Sequence, residues 1–230
     1  MKFAVSLFVF VLVFVCSSIA FGQELTREQK LQKIIELNSQ IKMLEQDVIL
    51  PAARDLKQAE KEDFGVFRIL PREKYDHKFT IQGGGAYYSF TTKSHDYQKI
   101  AQIGLEQNRL SVGFAGADYG FVADLGETPL NDITKETGEV NFLANYKPPV
   151  NEPEVRIEQR KAHNYEAGGF SYKRTVPAVA GHTYVLRAIS FDDADVLVAF
   201  RIHRKDADGS LIIFWKLIEN FEKPLLARAE

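Results

Sequence analysis

Two apolar runs near the carboxyl end limit what this chain can fold into. Val196, Val198, Phe200 and Ile202 alternate with Leu197 and Ala199, and Leu211 to Ile218 is apolar except at Lys216. Arg204-Lys205-Asp206-Ala207-Asp208-Gly209 lies between them. Two period-2 runs around a short Asp/Gly loop predict a β-hairpin. A hairpin wetted on one side alternates apolar with polar residues. This one is apolar on both sides, so each face needs a cover. Val198, Phe200, Phe214 and Trp215 are its expected core, and Leu197 and Leu217 are expected to be dry as well.

The amino-terminal residues 1–22 stand apart from the fold. Lys2 precedes an apolar run from Phe3 to Val15, and Ala20-Phe21-Gly22 fits the small-x-small rule for a signal-peptide cleavage site. Cleavage there starts the mature chain at Gln23; a cut after Ala20 and an uncleaved membrane anchor are the other readings. Each puts the remainder outside the cytoplasm, periplasmic or secreted, with membrane contact only through an uncleaved segment. The one cysteine, Cys16, falls within that run, after Val13-Phe14-Val15, which lacks the small residues of a lipid-attachment site. An exported chain without disulfides must be held by its core alone. About 200 residues suffice, burying about 70% of their unfolded surface. The net charge is only −2, with no Lys/Arg cluster. That argues against nucleic acid and charged membrane surfaces as partners.

Thr26-Arg27-Glu28-Gln29 is a capping-box pattern opening a helix. Ile34, Leu37, Ile41, Leu44 and Val48 then recur at spacings of three and four, a heptad seam. The seam either packs on a face of the sheet or pairs with a second copy as a short coiled coil. Pro51 ends this helix, and Ala52 to Glu62 reads as a second, shorter one. From Phe64 the pattern becomes period 2, with strands expected at 66–70, 86–91, 100–105, 110–114, 120–125, 140–146, 170–179 and 183–191. Gly83-Gly84-Gly85 permits positive φ but leads into a strand, not a helix, so it is no phosphate loop. Residues 126–139 read as a long loop, and 151–164 fits either helix or strand. The expected organisation is a signal peptide (1–22), a helical segment (23–62), a β-rich domain (63–222) and a loose tail (223–230). The fold class is mainly β, an antiparallel sandwich or barrel-like domain with an α-helical start.

Local chemistry is sparse. Ser94-His95-Asp96 has the letters of a catalytic triad, but neighbouring side chains in an extended chain diverge. The five histidines lack metal-ligand spacing, and Asp206 and Asp208 are better explained as turn residues than as a calcium loop. No cofactor, metal or catalytic residue is expected. Tyr87, Tyr97 and Tyr119 are candidate ligand-stacking residues in an aromatic-rich stretch.

Three stretches carry a resemblance: Leu70-Pro71-Arg72-Glu73-Lys74-Tyr75-Asp76, Ser111 through Phe121, and Asp195 through Leu217. Through them the chain resembles a family of uncharacterised exported bacterial proteins with a helical start and a β-rich body. The resemblance implies fold and export, and brings no activity or site residues. The expected function is a non-enzymatic module that binds a protein or an envelope polysaccharide. A glycan hydrolase whose carboxylates converge only in the fold, and a helix-mediated homo-oligomer, are the alternatives.

Overall fold

The computed structural model describes residues 24–95, 97 and 100–227. The signal and anchor readings, Cys16, Asp96 and residues 228–230 lie outside the described residues. The chain forms two compact units, Met1–Ser39 and Gln40–Glu230. Helix α1 (Arg27–Ile49) starts at the reciprocal cap read from sequence. Gln29 N–H donates to Thr26 Oγ1 at 3.2 Å, and Thr26 N–H donates to Gln29 Oε1 at 2.9 Å. The expectation that its seam packs on a sheet needs correction. Within the unit that holds the sheet, Ile41, Leu44 and Val48 are all exposed, between 41% and 65%. The buried residues of α1 are instead Glu45 and Ile49, one turn apart on a neighbouring stripe of the helix.

The body is β-rich, with three antiparallel sheets among the described residues. After α2 (Ala53–Lys61) comes β1 (Gly65–Ile69), then the short α3 (Arg72–Tyr75). Strands β2 (Tyr87–Tyr88), β3 (Ile103–Glu106), β4 (Arg109–Ser111) and β5 (Tyr119–Asp124) follow. Helices α4 (Gly138–Asn145) and α5 (Glu152–Lys161) precede β6 (Tyr165–Ala167), β7 (Phe170–Tyr172), β8 (Thr175–Pro177), β9 (Thr183–Ser190), β10 (Ala194–Lys205) and β11 (Leu211–Phe221). The main sheet runs β1-β11-β10-β9-β5, the second β2-β3-β4-β8, and β6 pairs with β7. The expected hairpin is β10–β11, at the middle of the main sheet.

Each face of that hairpin has its own cover. Val198, Phe200, Ile213 and Trp215 share one cluster with Ile103, Leu105, Leu110 and Val176 of the second sheet. Leu197, Ala199, Ile212 and Phe214 share another with Val140 and Leu143 of α4, Val155 of α5 and Ala59 of α2. The main sheet is thus sandwiched between a smaller sheet and a layer of helices. Leu217 departs from expectation, being 52% exposed. It pairs with Val198 as the last residue of β11 before the register shifts between Leu197 and Val198.

Residues 140–146 form the helix α4 rather than a strand, a further correction. Val140 and Leu143, three apart, are buried, while Asn141 and Asn145 are exposed. Segment 151–164 resolves as α5, with Asn151 Oδ1 accepting the Glu154 N–H at 3.1 Å. The chain past Phe221, expected to trail loosely, is tied down through residue 227. Asp192 N–H donates to Pro224 O (2.8 Å) and Ala227 N–H to Val150 O (2.7 Å).

A buried ion pair fastens the helix layer to the sheet. Arg187 on β9 and Asp195 on β10 are 2% and 1% exposed. Arg187 donates through Nε to Asp195 Oδ1 at 2.9 Å and through Nη2 to Oδ2 at 2.7 Å. Its Nη1 donates to the carbonyls of Leu143 and Tyr146, which no residue within α4 can satisfy at that helix end. Breaking such a pair from one side strands a buried charge, at about 3–5 kcal/mol. Urea unfolding should therefore show losses of that order for Arg187→Met and for Asp195→Leu. The double variant should lose less than the sum of the two; strict additivity would show that the two residues do not act as a pair.

Candidate functional site

Two of the three candidate tyrosines meet. Tyr87 and Tyr97 have ring centroids 4.6 Å apart, with Phe114 5.1 Å from Tyr87. They line a shallow cleft of about 310 Å³ with Arg72, Glu106, His163 and Arg174. Tyr119 does not join them. It is 1% exposed, in the core beneath the helices, and its hydroxyl is 2.9 Å from that of Tyr146, which in turn donates to Glu158. Aromatic density in the sequence could not separate a buried ring from a surface one.

The other local motifs are taken up by structure. Ser94 Oγ pairs with Thr92 Oγ1 (2.8 Å), while His95 Nε2 lies 2.6 Å from Arg68 O, so the two side chains do not converge as a nucleophile and its base. Asp208 accepts from Arg68, Tyr75 and Ser210, and Asp206 from Arg204, so both loop carboxylates are spent on cations and turn bonds. Among the described residues no group of three or more His, Cys, Asp or Glu side chains could hold a metal.

Another candidate lies beside β1, where that edge strand pairs with β11. It is a cleft of about 650 Å³. Gly65 faces Trp215 across the pair, and a Cβ on Gly65 would come within 2.3 Å of the indole Nε1. Only glycine leaves room for the ring there. Phe90 packs against the same indole, with centroids 5.0 Å apart at 61°. Trp215 is 7% exposed, and its Nε1 is the one buried side-chain nitrogen or oxygen without a hydrogen-bond partner among the described residues. Leaving such a donor unpaired costs about 1–3 kcal/mol. Polar groups line the same cleft: Glu62, Asp63, Thr91 and Asn220, with Lys216. Lys216 Nζ donates to Asn131 O at 3.2 Å, and burial pulls its ammonium below the ordinary lysine value.

The sequence marked Trp215 as core, which it is, but not as a wall of a site. Gly65 and Asn220 went unremarked, Phe90 was only one ring of an aromatic-rich stretch, and Lys216 only the break in an apolar run. The one available signal was a glycine opening the strand that pairs with the only tryptophan.

His95 stands on the other side of the 91–95 loop. Burial lowers its pKa to about 4, against an opposing pull from the Arg68 carbonyl. The ring is therefore neutral at neutral pH, with Nε2–H as donor and Nδ1 as acceptor. Asp118, near the β5 start, is pushed up to about 6 chiefly by burial, offset in part by a bond from Ser190.

Comparison with protein-family models, with curated proteins and with solved structures finds no match to this chain. Its function therefore rests on its own residues.

The His95 shift makes stability depend on pH. Between about pH 6.5 and 4 the unfolded chain binds a proton that the folded chain refuses, so stability falls as pH falls. The loss should be on the order of 3 kcal/mol across that window. Asp118 acts in the opposite sense, because its raised value makes the folded state take up its proton first. Comparing His95→Gln with the parent protein isolates the histidine: urea midpoints should decline less on acidification in the variant. Equal declines would contradict the assignment.

Proposed function

We propose that this chain is an exported, non-enzymatic binding module whose Trp215 cleft takes a segment of envelope polysaccharide. The observation that carries it is the Trp215 indole on a cleft wall that also bears polar side chains. A sugar offers apolar C–H faces to rings and hydroxyl groups to polar side chains. Asn220, Thr91, Glu62 and Asp63 suit hydroxyl groups around it. Export rests on residues 1–22. No described helix is long and apolar enough to cross a membrane. The hydrolase alternative draws less support. It needs two carboxyl groups facing one another across a cleft, one of them poised as an acid. The two carboxylates of the Trp215 cleft, Glu62 and Asp63, are chain neighbours rather than a pair from opposite walls, Asp118 lines none of the clefts described, and Asp195 is committed to Arg187.

Calorimetry of the Gln23–Glu230 protein against soluble envelope-glycan fragments tests this reading. Trp215→Phe keeps a ring but shortens the aromatic wall, so affinity should fall several-fold. The melting temperature is read alongside, because the smaller ring leaves part of the buried indole's volume empty. Absence of binding to every fragment, or equal binding by the variant, refutes the polysaccharide reading and leaves a protein partner. Release of new reducing ends would favour the hydrolase.

The exposed seam of α1 supports a second reading, self-association. Its a positions are Ile34, Ile41 and Val48, and its d positions Leu37 and Leu44. β-Branched residues at a with leucine at d favour two parallel strands. Sedimentation of the mature protein should therefore show a dimer that Leu37→Glu together with Leu44→Glu converts to a folded monomer. A parent protein that is monomeric at all accessible concentrations removes this reading.

A further inference from the structure

A second cleft, of about 710 Å³, opens beside β1 on the far side of the 91–95 loop. Its apolar wall comes from Ile49 and Pro51 at the end of α1, from Val66 and Phe67 on β1, and from Ile81. Tyr88 stacks on Phe67 at 3.8 Å with the rings parallel. Tyr88 lines the cleft; no described residue bonds its hydroxyl, which is open to solvent rather than sealed. Lys42 and Lys93 line the same space, and neither forms an ion pair there among the described residues. No carboxylate lines it. The nearby Glu45 is already held by the Thr80 backbone N–H and by Thr80 Oγ1, the latter at 2.6 Å. The His95 ring adds no charge, since Nε2 donates to Arg68 O.

An apolar enclosure of this size with a few converging polar groups is the usual form of a small-ligand site. Here the polar groups are the Tyr88 hydroxyl, the ammonium groups of Lys42 and Lys93 and neutral side chains such as Gln46 and Gln82, with no anion among them. We propose that this cleft binds a small amphiphilic carboxylate, its apolar body against Ile49, Phe67 and Ile81 and its head bonded to the Tyr88 hydroxyl and the lysines. This site is separate from the Trp215 cleft, and Lys93 is the residue they share.

Decanoate, kept below its micelle concentration, is the probe, with 1-decanol and acetate as controls. Calorimetry on the mature protein should show decanoate binding, with 1-decanol and acetate each at least about tenfold weaker, since one lacks the charge and the other the apolar body. Tyr88→Phe keeps the stacked ring and removes only the unpartnered hydroxyl, so the fold should hold, as its melting temperature will report. That variant and Lys42→Gln should each weaken decanoate several-fold, while Trp215→Phe should leave it unchanged. Failure to bind decanoate, equal binding of 1-decanol, or binding indifferent to both Tyr88→Phe and Lys42→Gln overturns the proposal. A decanoate loss in Trp215→Phe would also overturn it, by making the two clefts one site. The glycan experiment is read separately, so either proposal can fail without the other.

Discussion

The guanidinium of Arg187 is the point through which the layers of this protein are joined. Two of its nitrogens grip Asp195 on the adjacent strand, and a third reaches the last carbonyls of α4. Its flat face lies 3.8 Å from the Phe221 ring centroid at the end of β11. One side chain thus fixes two neighbouring strands, the helix above them and the closing strand. Removing an arginine and an aspartate from water is costly, and it is tolerated here because each strong donor and acceptor finds a partner. An aliphatic pair could fill the volume but could not terminate the helix. The helix layer that covers Leu197 and Phe214 therefore depends on a polar contact.

The hairpin at the sheet centre was legible because its signal is dense and local: period-2 apolarity on two strands and an Asp/Gly turn. Thr26 and Gln29 announced α1 by the same directness. α4 was not legible. Val140, Phe142 and Ala144 alternate as a strand would, while Val140 and Leu143 satisfy a helix. Over eight residues the two periods do not separate. The second cover of the hairpin was demanded by the sequence, but its identity as helices was hidden in that ambiguity. Candidate-site residues fared worse. An unpaired indole N–H at Trp215 and a lone hydroxyl at Tyr88 are properties of what surrounds them, and no spacing rule reports what a neighbour fails to supply. Tyr119 shows the converse, a ring that looked available and is sealed in.

Both clefts border β1, an edge strand, and that placement has a physical reason. Sheet edges carry backbone groups with no neighbour and are usually blunted. Here His95 takes the Arg68 carbonyl and Gly85 O accepts the Leu70 N–H, so side chains and loop cover what another strand would. Such cover is looser than a paired strand. Room for ligands remains on either side of the 91–95 loop, and the rigid sheet beneath holds Trp215 and Phe67 in place.

The strand order carries a further consequence. β1 enters early in the chain, yet among the described residues its only strand partner is β11, the last strand in sequence order. Loop closure over that separation is slow, and the main sheet lacks its edge until the carboxyl end arrives. The edge that walls both clefts is therefore among the last parts of the fold to close.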